Sequence, residues 1–192
     1  MEQKEFLGYL ATIIGIIGYI IYYVQIFGGK VKPHAFSWFV WAILTGIAFA
    51  AQVSEGGGPG AWVTGMTTLA CIGIAMIAYV KGKRDFPRFD WIALISSACS
   101  LFLWYITKDP MWSVILVSVT DGLGFLPTYR KAFYKPYEES ASAFVFGVIK
   151  FIPAIFALDS YSISTVLYPA SLIVLNGIFI AVLLIRRAQL RA

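Results

Sequence analysis

The sequence predicts an all-α membrane protein: seven transmembrane helices in a single domain over 1–192, arranged as two parallel three-helix repeats joined by a linker helix. Three observations lead there. Charged residues make up only 13% of the chain and hydrophobic ones 59%, whereas soluble domains carry about 25% charge; the mean hydropathy is +0.78. The apolar residues run in blocks, and a helix of about 20 such residues crosses a hydrocarbon core of about 30 Å. Finally, the chain resembles itself at an offset of 103 residues.

Taken in order, the blocks cover 6–28, 36–53, 60–80, 89–107, 111–129, 141–158 and 162–185. What separates them are breakers or charges: GGKVKP, SEGGGPG, KGKRDFPR, KDP, YRKAFYKPYEES and LDSYS. The fourth and fifth blocks are parted only by Lys108, Asp109 and Pro110, but together they are too long for one crossing. The first follows MEQKE without a small-residue cleavage site, so no cleavable signal peptide is expected. Cys71 and Cys99 fall inside apolar blocks and read as small core residues rather than a disulfide framework.

Lys and Arg set the orientation. Lys30, Lys32, Lys81, Lys83, Arg84, Arg88, Arg130, Lys131, Lys135, Arg186, Arg187 and Arg191 all fall on one side, against Lys4 and Lys108 on the other. The expectation is an integral protein of the cell (inner) membrane, N-terminus outside and C-terminus cytoplasmic. The formal charge of +5 sits between apolar blocks, as membrane-flanking charge does, so no nucleic-acid partner is expected.

The offset lays YYVQIFGGKVKPHAFSW (22–38) over FLPTYRKAFYKPYEESA (125–141), aligning Lys32-Pro33 with Lys135-Pro136 and Ser37 with Ser140. It divides the chain into a first repeat (6–80), a linker helix (89–107) and a second repeat (111–186). Three spans reverse the chain's direction and a fourth restores it, so both copies cross in the same sense. On this layout, on Val24-Gln25 and Pro127-Thr128, which each keep half of a Pro-Gln pair, and on the entries AFSW (35–38) and EESASA (138–143), the chain resembles the SWEET and PQ-loop transporter superfamily. The resemblance covers nearly the whole chain and implies a carrier working by alternating access. In SWEET-type sugar carriers it further implies Asn on the third helix of each repeat; Asn176 matches one such position and Gly73 stands at the other, which argues against a sugar. A retinal protein is disfavoured because 162–185 holds no lysine.

Polar side chains inside an apolar span cost about 2.5–3.5 kcal/mol each when charged, and so ask for a partner or a wet cavity. Asp121, Lys150 and Asn176 lie roughly 12, 14 and 15 Å from the basic side at about 1.5 Å per residue. Their common depth suggests an Asp121–Lys150 pair in a substrate or proton site, with Asn176 donating and accepting hydrogen bonds; the alternative is a structural bridge. Trp41, one turn beyond Trp38, could stack on a ring-bearing ligand. The Trp38/Trp41 spacing also resembles the W-x-x-W signature of the PnuC vitamin-precursor carriers. Gln25 occupies the motif position and could cap the cytoplasmic entrance; Tyr19 and Tyr22 could line the route. His34, the sole histidine, falls in a basic turn. Gly122, Gly124 and Pro127 weaken one stretch of span 5 and mark it as a hinge, since proline removes a backbone hydrogen bond and frees a carbonyl.

No metal-ligand spacing, phosphate loop or nucleophile arrangement points to an enzyme, and no cofactor is expected. The expected function is transport of a small polar solute, proton-linked through Asp121. The alternative is a receptor or interaction protein on the same fold, as the superfamily's KDEL receptors are. The expected partners are a small-molecule solute and the lipid bilayer, with a homo-oligomer left open.

Overall fold

The structure, a computed structural model, describes residues 2–30, 33, 35–81, 88–134, 136–138 and 141–190. Among them are seven α-helices: α1 (Glu2–Phe27), α2 (Ala35–Ser54), α3 (Trp62–Lys81), α4 (Arg88–Thr107), α5 (Pro110–Tyr134), α6 (Ala141–Phe156) and α7 (Ile163–Gln189). Short 3₁₀ turns at Gly58–Ala61 and Pro136–Glu138 lead into α3 and α6. Each apolar block is therefore a helix, and each separator with described residues ends one.

Four helical stretches, Glu2–Phe27, Ala35–Ser54, Gly58–Val80 and Ile163–Gln189, are long and apolar enough to cross a membrane. The remaining three helices carry shorter apolar stretches, 94–107, 110–125 and 141–156. These are the stretches whose side chains are described; α4 and α5 themselves run for 20 and 25 residues, and α6 for 16, about 24 Å at 1.5 Å per residue.

Helix starts and stops follow the residues. Ser162 caps α7 reciprocally with Thr165: the Thr165 N–H donates to Ser162 Oγ at 3.3 Å, and the Ser162 N–H to Thr165 Oγ1 at 3.0 Å. Asp109 Oδ1 accepts from the Met111 N–H at 2.9 Å just before α5, whose first residue is Pro110. Gly29, at φ +69°, ends the turn after α1 in a conformation glycine adopts without strain.

α3 packs against both α1 and α2, and α7 packs against both α5 and α6. The two groups meet where α1 lies on α6 and where α2 lies on α5, with lesser contacts of α2 to α7 and of α3 to α6. α4 lies against α5 and α2. One cluster of buried apolar side chains runs through the junction, including Ala11, Leu44, Val63, Val117, Phe151 and Tyr168. The buried residues of α1 are Ile26 near its end and the small Gly8, Ala11 and Gly15, which Gly18 follows at the same spacing. A Cβ on Gly18 would lie 2.8 Å from that of Phe146, so these residues are small because α6 and the 58–61 turn come so close.

Outward faces are strongly apolar. Phe6, Ile13, Ile20 and Val24 of α1, and Ile95, Phe102 and Tyr105 of α4, are all exposed. Apolar surface this continuous is not tolerated in water. Together with the four long apolar helices, it marks a membrane protein.

Candidate functional site

Asp121 stands near the middle of α5 and is 2% exposed. The indole N–H of Trp41, from α2, donates to its carboxylate. Oδ2 has no partner. One turn earlier, the hydroxyl of Ser118 is also buried without a partner. Residues three apart share a helix face, so both oxygens belong to the same side of α5.

Most helical hydroxyls here fold back onto the carbonyl three or four residues earlier: Thr45 on Trp41, Thr67 on Val63, Thr120 on Leu116 and Ser171 on Tyr168. This satisfies the hydroxyl inside its own helix. Ser118 departs from the habit, as does Thr64 of α3; Ser118 is the one that shares a helix face with Asp121.

Lys150 is 5% exposed and makes a different set of contacts. Its Nζ donates to Thr67 Oγ1 at 2.8 Å and reaches the Tyr19 hydroxyl at 3.5 Å. It also lies 4.7 Å from the centre of the Tyr19 ring and 4.8 Å from that of Phe151, where aromatic faces attract a cation. The ammonium is thus held by hydroxyls and rings from α1, α3 and α6.

The expected Asp121–Lys150 ion pair is absent. Its cause is helix order: α7 packs between α5 and α6, Asp121 turns toward α2, and Lys150 turns toward α1 and α3. The ion pair seen among the described residues is Lys4–Asp159, at 3.4 Å and partly exposed. The sequence gauged depth along each helix, but the direction around the axis follows only from packing.

Asn176 is 8% exposed; its Nδ2 donates to the Leu172 carbonyl at 2.6 Å, and its Oδ1 faces Gly147 of α6. Trp41 is half-buried and stacks edge-on against Trp38, which in turn meets Tyr22. Gln25 lines a shallow, mostly apolar cleft between α1 and α6 with Gly18, Tyr22, Ser142 and Phe146. It lies at the end of the bundle where α1 ends and α6 begins. The hinge glycines sit in loose surroundings: a Cβ on Gly122 would meet Leu175 at 3.9 Å, and one on Gly124 would meet nothing within 4 Å. α5 runs as one helix through Pro127, whose side chain lies outside the described residues. His34 and Lys32 also lie outside them. Of the cysteines, Cys71 is buried and Cys99 exposed, so the expectation of a core position fails for Cys99.

Sequence reasoning also missed a clasp at the other end. The Gly60 N–H donates to the Ala157 carbonyl at 3.1 Å, and the Asp159 N–H to the Gly57 carbonyl at 3.2 Å. Lys4 Nζ adds a bond to the Leu158 carbonyl at 2.8 Å, and Gln52 Nε2 one to the Thr165 carbonyl at 2.9 Å. The run GGGPG had been read only as a separator. Its glycines carry the one available signal, because a Cβ on Gly60 would fall 2.6 Å from the Ala154 carbonyl oxygen.

Compared with protein-family models, with curated proteins and with solved structures, the chain finds no match.

Proposed function

We propose that the chain crosses the membrane seven times, N-terminus outside, and carries a small polar solute by alternating access between two three-helix units. The observation that carries this reading is a buried carboxylate oxygen without a partner, in the middle of an apolar bundle and at the junction of the two units. A purely structural role would be expected to satisfy such a group, because leaving it unpaired is costly.

Helix packing supports the two-unit reading. Exchanging α1 with α5, α2 with α6 and α3 with α7 turns each contact at the junction into another that is present: α1 on α6 becomes α5 on α2, and α2 on α7 becomes α6 on α3. This is what a parallel repeat about an axis along the membrane normal would produce, and it supports the resemblance to SWEET and PQ-loop carriers.

The state of the two ends fits a carrier closed on one side. Backbone bonds and the Lys4–Asp159 pair shut the end bearing the 58–61 turn, and a small cleft lies beside Gln25 toward the basic end. Under the expected orientation, this is an outward-closed state. Asp121, Lys150 and Asn176 are the proposed polar contacts, with Trp41 and Gln25 nearer the basic end. Solute-dependent thermal stabilisation, screened over sugars, amino acids and vitamin precursors, tests the reading. A stabilising solute should lose its effect with Asp121→Asn or Lys150→Ala; a hit indifferent to both changes puts the site elsewhere. Binding without flux in liposomes assigns the receptor alternative.

A further inference from the structure

The geometry points to a monovalent-cation site on α5, formed by Ser118 Oγ and Asp121 Oδ2 beside the Trp41 indole. Both oxygens are buried, both lack a partner, and they stand one helical turn apart on the same face. The indole N–H engages the carboxylate and helps fix its orientation. What remains is a pair of buried oxygens, one helical turn apart, with no donor assigned to either.

Charge decides the class of occupant. One carboxylate in a low-dielectric interior is neutralised by one positive charge, whereas a divalent ion would ask for several carboxylates or carbonyls. No group of three or more His, Cys, Asp or Glu occurs among the described residues that could serve a divalent or transition metal. Among the described side chains, the surrounding helices offer no cation to either oxygen; the side chains of Arg88, Asp90, Arg130 and Lys131 lie outside the described residues. α2 has no ionisable side chain, and α7 presents the neutral phenol of Tyr168. On α4, Cys99 and Tyr105 are exposed, and Tyr137 of the 136–138 turn is exposed as well. Lys150 of α6 is engaged by Thr67 and Tyr19. A sodium ion and a proton bring the same single charge: the ion would be coordinated by both oxygens, and the proton would sit on Oδ2 and be shared with Ser118 Oγ.

The site names the coupling ion of the proposed carrier and rests on that reading for its role, but its occupancy is measurable without transport. The full chain in detergent is followed by thermal unfolding as NaCl replaces N-methyl-D-glucamine chloride at constant ionic strength, at several pH values. For sodium, the midpoint rises with NaCl, acid competes, Asp121→Asn abolishes the rise, and Ser118→Ala weakens the apparent affinity about tenfold, the loss of roughly one interaction with a charged group. For a proton, NaCl has no effect, the unfolding midpoint follows pH, and Asp121→Asn removes that part of the dependence, with Ser118→Ala shifting it. If neither NaCl nor pH acts through Asp121, or if Ser118→Ala leaves every response unchanged, the site is overturned. Cation binding without solute flux would sink the carrier reading and leave the site standing; solute flux indifferent to both variants would do the reverse.

Discussion

At the scale of single residues, the interior holds two unlike solutions to the problem of a charge in apolar surroundings. Lys150 is surrounded: two hydroxyls and two rings take up its ammonium, although no carboxylate neutralises it. Asp121 is left half satisfied. The contrast gives a prediction. Lys150→Met keeps the apolar stem, removes the ammonium and leaves the Thr67 hydroxyl its bond to the Val63 carbonyl. Removing an uncompensated buried charge in this way should leave thermal stability in detergent unchanged or raise it by about 1–3 kcal/mol, while abolishing any solute-dependent shift. A large loss of stability would make the lysine a structural keystone instead. These residues were only partly legible beforehand. Counting at 1.5 Å per residue placed Asp121, Lys150 and Asn176 at one depth, and all three are buried side chains. Counting cannot say which neighbour each one faces. Ser118 left no mark at all, because a serine in an apolar helix ordinarily bonds its own backbone and nothing in VILVSVTD distinguishes it from Thr120.

Helices were the most legible level, since each is a long apolar block bounded by charge, glycine or proline, and those signals are local. Their neighbours were not legible: that α7 separates α5 from α6 is a consequence of packing the whole bundle. Glycines show the same division. In the sequence, Gly124 and Gly147 look alike, yet a side chain at Gly124 meets nothing within 4 Å while one at Gly147 would lie 2.6 Å from Asn176 Oδ1. Gly124→Ala should therefore stabilise α5 by up to about 1 kcal/mol through helix propensity alone. Gly147→Ala should cost about 1–3 kcal/mol by crowding a packed site and displacing Asn176. Thermal unfolding of the two variants side by side reads the difference. The proposed hinge adds a kinetic expectation: Gly124→Ala combined with Pro127→Ala should slow solute exchange across liposomes without abolishing binding. Unchanged exchange rates would remove the hinge from the mechanism.

For the whole molecule, the two ends behave differently. One is clasped by backbone hydrogen bonds between the 57–60 run and the 157–159 turn, and the other bears a small cleft beside Gln25. Exposed pairs such as Lys4–Asp159 contribute only about 0–1 kcal/mol, so Asp159→Asn should hardly change stability; the close backbone approach at Gly60 is the stronger element. Replacing Lys4 and Asp159 by cysteine, in a background with Cys99→Ser, and joining them with a short thiol cross-linker should hold this end shut. Solute binding from the basic side should persist while flux stops and reducing the link should restore it; flux that continues through the cross-linked protein would show that the clasp need not open. The same single cysteine at position 4 should react with an impermeant thiol reagent in intact cells, and one at Arg186 should not.

The central claim, a carrier built around Asp121, is tested most directly by solute flux. Purified chain in liposomes, supplied with a solute that stabilises it in the thermal screen, should take that solute up saturably. Asp121→Asn should reduce uptake at least about tenfold, the effect of losing roughly 1.4 kcal/mol at the critical step, while the protein remains folded. Binding of the solute with no uptake above protein-free liposomes, or uptake indifferent to Asp121→Asn, would contradict the account.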